Sequence, residues 1–297
     1  MEDPSHSPTA GSFSAGAPLP VRKARRPIPS EMVWAPVVLL LLASCAGAQW
    51  INYPARGTPR TKDGKPSLTA HAPRARDGKP DLSGVWEALE PPLNKAVLWK
   101  GEDFDDPSLD LLNFMPDGAR MPIRPEGEAI YRQRAETNAV GRPSGRCLPH
   151  GIPDAMLIGA QFKIVQEPGL TLILLEEFNH YRQVFADGRG HPAEMTPAWF
   201  GYSVGKWEHD TFVVDTVGFN DRTWLDDHGH PHSEALHTIE RFRRRDFGHM
   251  EMQLIIDDPK YYTAPFTAMV QFHLLPDTDL IENVCDNERD SRHEVAK

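Results

Sequence analysis

Beyond residue 160 the chain is a series of short β-prone runs separated by turn residues, and this pattern constrains the fold more than any other feature. Residues 162–167 and 170–177 flank Pro168-Gly169, a two-residue turn that pairs them as a hairpin. Residues 170–175 are apolar almost throughout, as in a strand covered on both faces. Residues 178–186 follow and stop at Asp187-Gly188-Arg189-Gly190. A short polar turn joins 199–205 to 211–217, and Asp246-Phe247-Gly248 joins 235–244 to 250–257. Residues 266–274 and 279–285 end the series, and 83–87 opens it. About ten short strands with little helix predict a mainly β chain, a single antiparallel meander closing into a barrel-like sheet over residues 81–290.

The segment before that domain reads as an export leader, residues 1–48. Residues 1–31 are rich in Ser, Pro, Ala and Gly and lack apolar periodicity, which predicts disorder. Arg22, Lys23, Arg25 and Arg26 precede an apolar run at 32–43 that Pro36 interrupts. The run falls short of the roughly 20 residues a membrane span needs. Ala46-Gly47-Ala48 fits a signal-peptidase site, while Leu42-Ala43-Ser44-Cys45 resembles the bacterial lipobox, whose cysteine carries a lipid anchor. Both routes predict a protein of the periplasm or cell envelope, bound to a membrane surface only if Cys45 is lipidated. The net charge is −10, and the leader holds four basic residues, Arg22, Lys23, Arg25 and Arg26, against Glu2, Asp3 and Glu31, so the exported part is slightly more acidic still. That excludes a nucleic-acid partner, because phosphate binding needs a basic face. Arg243, Arg244 and Arg245 form the body's basic run and read as a solvated face. With Cys45 set aside, Cys147 and Cys285 remain, either a disulfide formed in an oxidising compartment or two buried thiols.

Residues 49–80 are Pro-rich and read as a tether carrying an internal echo, Asp63-Gly64-Lys65-Pro66 and Asp77-Gly78-Lys79-Pro80, each a turn with an extended exit. Gly84-Val85-Trp86 is similar to the opening of lipocalin and calycin barrels, which implies a tryptophan plugging one end; Trp86 as an ordinary core residue is the alternative. Residues 126–137 predict one short surface helix with Ala129 and Ile130 on one side, and 141–153 form a tight loop around Cys147 and His150. Residues 291–297 are a tail. From Cys147 to about residue 288 the chain resembles a family of exported bacterial proteins of unassigned function. The shared motifs are Cys-x-Pro-x-Gly-x-Pro at 147–153, Trp-x-Gly-x-Ser-x-Gly-x-Trp-Glu at 199–208 and Pro-His-Ser-Glu at 231–234. Glu-Arg-Phe followed by arginines at 240–244 and Asp-Asp-Pro at 257–259 complete them. The resemblance implies export and a β fold, and no reaction. His209 stands where that family usually has Gly, in the turn before Asp210.

Gly201-Tyr202-Ser203-Val204-Gly205 matches the Gly-x-Ser-x-Gly pattern of serine hydrolases, but a β-branched run follows where the nucleophile needs a helix, so the match reads as accidental, with an α/β-hydrolase as the alternative. His228, His230 and His232 alternate along a long loop, and residues two apart in extended chain share a side. Three imidazoles converging there predict a Zn or Cu site, with Glu234, His237 and Glu240 near enough to complete it. A non-metal polar pocket and a solvated loop are the alternatives. Glu177, His180 and Arg182 carry groups for acid–base work, with Asp215 as a candidate buried acid; a structural ion-pair network is the alternative. Trp199, Trp207 and Trp224 offer stacking surfaces, and Arg189, Glu234, Glu240 and Arg241 offer polar contacts, in a ligand pocket; core packing explains the tryptophans equally well. The loop 220–234 is expected over an open end of the barrel. Three functions follow: a pocket for a small polar or aromatic molecule, a metal-dependent or acid–base enzyme of hydrolase or lyase type, or a structural envelope protein without a site. The sequence leaves the ligand and the oligomeric state open.

Overall fold

The computed structural model describes residues 53–92 and 106–285. The leader with Cys45 and the tail 291–297 lie outside the described residues. Nine strands close into a barrel: β1 (Gly84–Ala88), β2 (Phe162–Glu167), β3 (Leu170–Leu175), β4 (Tyr181–Phe185), β5 (Tyr202–Glu208), β6 (Thr211–Val217), β7 (His237–Arg244), β8 (His249–Asp257) and β9 (Phe266–Leu274). β1 pairs with β2 on one side and β9 on the other, so the sheet has no free edge. All neighbours run antiparallel except β4 and β5, which are parallel through Val184 opposite Ser203. Parallel neighbours cannot share a tight turn, and residues 186–201 carry the chain back to its starting end. The strand expected at 279–285 does not form: the segment is irregular and runs over the turn after β3, where Ile281 N donates to the Glu176 carboxylate at 3.0 Å and Asn179 Nδ2 to Asn283 O at 2.8 Å.

Alternation sets what fills the lumen. Met250, Met252, Leu254 and Ile256 of β8 face Ala268, Val270 and Phe272 of β9, all buried, and Phe162, Ile164, Ile173, Val214 and Phe242 meet them from the other strands. Each such side chain contributes about 1.5–3 kcal/mol on burial. Trp86 closes one end. Its indole donates to Leu82 O at 2.9 Å, and the Arg244 guanidinium lies 4.8 Å from the ring centroid. That guanidinium also donates to Asp81 O at 2.6 Å, Asp246 O at 3.2 Å and Phe247 O. Arg244 is therefore a fixed cap on the plug, unlike its basic neighbours Arg243 and Arg245, which are exposed.

The two turn echoes have matching structures. Thr61 N donates to Lys65 O and Ala75 N to Lys79 O, both at 2.8 Å, and Arg60 and Arg74 each reach the carbonyl of the turn glycine, Gly64 and Gly78. Residues 53–80 lie on the barrel rather than hanging free: Gly248 N donates to Leu68 O at 2.7 Å and Arg74 pairs with Asp210. The one α-helix among the described residues, α1 (Pro125–Glu136), has Pro at its start and Glu126 and Glu128 in its first turn, both favourable at a helix N-terminus. It buries Gly127 and Tyr131, four apart, while Ala129 is exposed, so the inward face differs from the expected one. Cys147 and Cys285 are bonded across a separation of 138 residues, which suits an oxidising compartment.

The strand directions put the short turns 168–169 and 209–210 at the Trp86 end. The connection after β1, described at 89–92 and 106–161, and the connections 176–180, 218–236 and 258–265 all leave from the opposite end, where their described residues form a cap over the mouth.

Candidate functional site

Residues 223–233 are buried without a break, so the histidine loop is interior and not a solvated flap. Buried backbone and buried charge need internal partners. Asp226 supplies several: it accepts from Leu111 N at 2.9 Å, His230 N at 3.0 Å and His230 Nδ1 at 2.6 Å. Asp258 accepts from Ser233 N and Oγ, and Tyr262 donates to Pro231 O at 2.8 Å. Arg134 reaches in from α1 to Gly229 O at 2.9 Å, with its guanidinium 4.2 Å from the Trp224 ring centroid. Gly229 has a φ of +99°, and a Cβ there would meet Arg134 at 3.0 Å.

The three loop histidines do not converge. His228 Nδ1 lies 3.4 Å from Asp110, His230 pairs with Asp226 and stacks on Tyr131 at 4.2 Å, and His232 contacts Thr223 Oγ1 at 2.6 Å and Ser233 O at 3.1 Å. Gly229 and Pro231 between them turn the chain, so alternation does not aim the rings at one point. Among the described residues, the groups with metal-ligand spacing are Asp110, Asp226 and His230, and His150, Asp154 and Asp227; neither contains all three histidines. Burial disfavours charge on Asp226 and His230, but their mutual attraction outweighs it, holding Asp226 below and His230 above its ordinary value. Burial with little compensation lowers His232 instead.

The cap and the barrel rim enclose a second centre. The turn after β3 brings Glu177 and His180 to the rim, and the loop after Cys147 brings His150 against them. His150 Nε2 lies 3.0 Å from Glu177, and Nδ1 lies 2.5 Å from Asp154 and 3.7 Å from Asp227, which also accepts from Ser144 Oγ at 3.0 Å. Burial opposes a charge on His150, yet Asp154, Glu177 and Asp227 together hold it well above the ordinary imidazole range. Burial and then Asp227 push the Asp154 carboxyl up to about 7. His180 is lowered, by burial first and by His150. A cleft lined by His150, Gln161, Glu177, His180 and Phe200 opens at this point, its enclosed part about 10 Å³, room for about one water.

Glu177 and His180 thus meet as the sequence suggests, but Arg182 and Asp215 do not join them. Arg182 points into the lumen, where it donates to Glu240 Oε1 at 2.9 Å and Oε2, to Ser203 Oγ at 3.0 Å and to Thr216 Oγ1 at 2.8 Å. Glu240 is its partner and not a pocket residue, and Ser203 is a buried strand residue, not an exposed nucleophile. Asp215 is not buried: its side chain is 38% exposed, and its Oδ1 lies 2.9 Å from both His191 and His237. None of the three tryptophans lines the cleft. Trp207 packs on Phe212, Trp224 is buried beneath Arg134, and Trp199 is half-buried in the crossover after β4. Arg189 pairs with Asp187 and Arg241 with Glu208, while Glu234 is exposed. Asp227 reaches His150 from another segment, which nothing in the local sequence marks; the i, i+4 spacing of His150 and Asp154 is the one local hint.

No protein-family model matches this chain, and no curated protein matches it in sequence.

Proposed function

We propose that the protein binds a small polar molecule at the mouth of its barrel, in the cleft between Gln161, Glu177, His180 and Phe200. The observation that carries this reading is the meeting of Glu177 and His180 in one cleft against His150, on a scaffold whose lumen is filled by side chains. Glu177 accepts hydrogen bonds and Phe200 offers an apolar wall, so the ligand class is a compound with hydroxyl or amine donors and a small apolar part. The enclosed space is small, so binding requires the rim turn 176–180 to shift outward. Ligand-observed NMR against a panel of polyols, amino alcohols and hydroxylated aromatics tests it. Compounds that bind the wild type should lose their signal with Phe200→Ala and keep it with His237→Ala on the outer face. Absence of any binder, or binding indifferent to Phe200→Ala, refutes the reading.

The same pairing of a carboxylate and an imidazole at a cleft also supports an acid–base enzyme acting on such a compound. Chemical change in a bound panel compound, lost in both Glu177→Gln and His180→Ala, is its test. Export to the cell envelope is part of the proposal; the charged and apolar leader and the disulfide support it. Intact mass of the membrane and soluble fractions decides between a lipid on Cys45 and cleavage before Gln49.

A further inference from the structure

We propose that His150 Nδ1, Asp154 and Asp227 hold a divalent first-row transition-metal ion, with Glu177 orienting the imidazole from its other nitrogen. These residues come from two separate segments, the loop after Cys147 and the loop after β6, and bring one nitrogen and two carboxylates within 4.8 Å of one another. His150 Nδ1 faces Asp154 at 2.5 Å and Asp227 at 3.7 Å. A metal with bond lengths of about 2.0–2.2 Å needs its ligand atoms about 3 Å apart, so a small widening of the first contact admits it.

Charge requires a partner here. Asp154 and Asp227 are buried and Glu177 is mostly covered, yet His150 is the basic group they share. Buried carboxylates persist when paired or metal-bound. Ser144 serves Asp227, but Asp154 Oδ1 is buried without a hydrogen-bond partner among the described residues. Glu177 completes the logic. A metal-binding histidine usually donates its other N–H to a carboxylate, which fixes the tautomer and aims the free lone pair at the ion. Glu177 stands 3.0 Å from Nε2 with neither atom hydrogen-bonded among the described residues, so a small turn of its carboxylate lets it take the N–H and frees Nδ1, which meets Asp154 at 2.5 Å, as the lone pair for the ion. The neighbouring group, Asp110, Asp226 and His230, has similar spacing but lacks this feature. Both Asp226 oxygens accept hydrogen bonds from the backbone N–H of Leu111 and His230, which accounts for its burial without an ion. One imidazole with carboxylates suits Zn²⁺, Mn²⁺ or Fe²⁺, and Zn²⁺ is the tightest-binding of these in most sites.

The inference shares His150 and Glu177 with the proposed ligand cleft and places the ion behind the imidazole, away from the cleft wall. Its test is calorimetric titration of chelator-stripped full-length chain with zinc chloride. One zinc per chain is expected. Asp154→Asn, close to isosteric, should abolish that binding with an unchanged circular dichroism spectrum. Glu177→Gln should weaken it about 10–100-fold, and His230→Gln and His237→Ala should leave it intact. No binding by the wild type, wild-type affinity in folded Asp154→Asn, or loss confined to His230→Gln overturns the proposal. The titration reads nothing from Phe200, so a failed small-molecule screen and a failed zinc titration are separate results.

Discussion

Replacing Glu240 by Gln should destabilise the barrel heavily without touching the cleft. The Arg182 side chain is 2% exposed and that of Glu240 0%, and they meet through a two-pronged pair between β4 and β7. Glutamine keeps the shape but leaves a guanidinium charge in the lumen with only the Ser203 and Thr216 hydroxyls as acceptors. Removing one partner of such a pair costs about 3–5 kcal/mol, most of it the penalty for the stranded charge. For a domain of this length that lowers Tm by on the order of 10 °C. Removing both charges should cost much less, because an apolar pair of similar volume replaces a desolvated one. Urea unfolding of Glu240→Gln, Arg182→Met and Arg182→Met/Glu240→Leu forms the cycle, and a coupling energy of about 2–4 kcal/mol is expected. If each single variant costs under about 1 kcal/mol, the pair is solvated and Arg182 and Glu240 return as candidate pocket residues. A double variant as unstable as the sum of the singles refutes the argument equally.

Three further outcomes follow from the same structure. Reducing Cys147–Cys285, or replacing both cysteines by Ser, opens a loop closed over 138 residues and should cost about 4–5 kcal/mol in the chain-entropy account, read as a lower urea midpoint. His232 is held below the ordinary imidazole value by burial, so between its folded pKa and 6.5 the unfolded chain binds a proton that the folded chain refuses. Stability from this group is therefore present above 6.5 and lost as pH falls; the advantage of wild type over His232→Asn should shrink from pH 7 to pH 5, and a constant difference would count against it. His209 sits in the β5–β6 turn with a φ of +58°, a region that suits Gly. His209→Gly relieves strain of about 1–2 kcal/mol against roughly 0.5–1 kcal/mol of extra chain entropy, so thermal unfolding should shift upward by a small amount; a lower Tm would show that the His209 side chain makes a contact worth keeping.

Glu177 and His180 were legible as a pair because they sit three apart on one turn. Asp227 was not, since its place beside His150 depends on two loops from opposite sides of the barrel meeting over its mouth; Asp154 was only hinted at by its spacing of four from His150. The histidine loop misled for a related reason. Alternation is a reliable guide only in a regular strand, and Gly229 and Pro231 break it, so each ring found its own partner.

Sequence alone determined what depends on local period and composition. Runs alternating in steps of two must present one face to a core, two-residue turns such as Pro168-Gly169 must pair their flanks, and Gly84-Val85-Trp86 placed a large ring at the first strand, where it plugs the barrel. Tertiary structure decided what depends on closure. Joining β1 to β9 put the long connections at one end, buried residues 223–233 beneath a cap, and turned Arg182 toward Glu240, 58 residues away. It also placed Asp215 on the outer wall beside two histidines. A strand's own pattern says that alternate residues share a face. Which face is the lumen, and which distant charge waits there, follows from pairings that no stretch of the chain contains by itself.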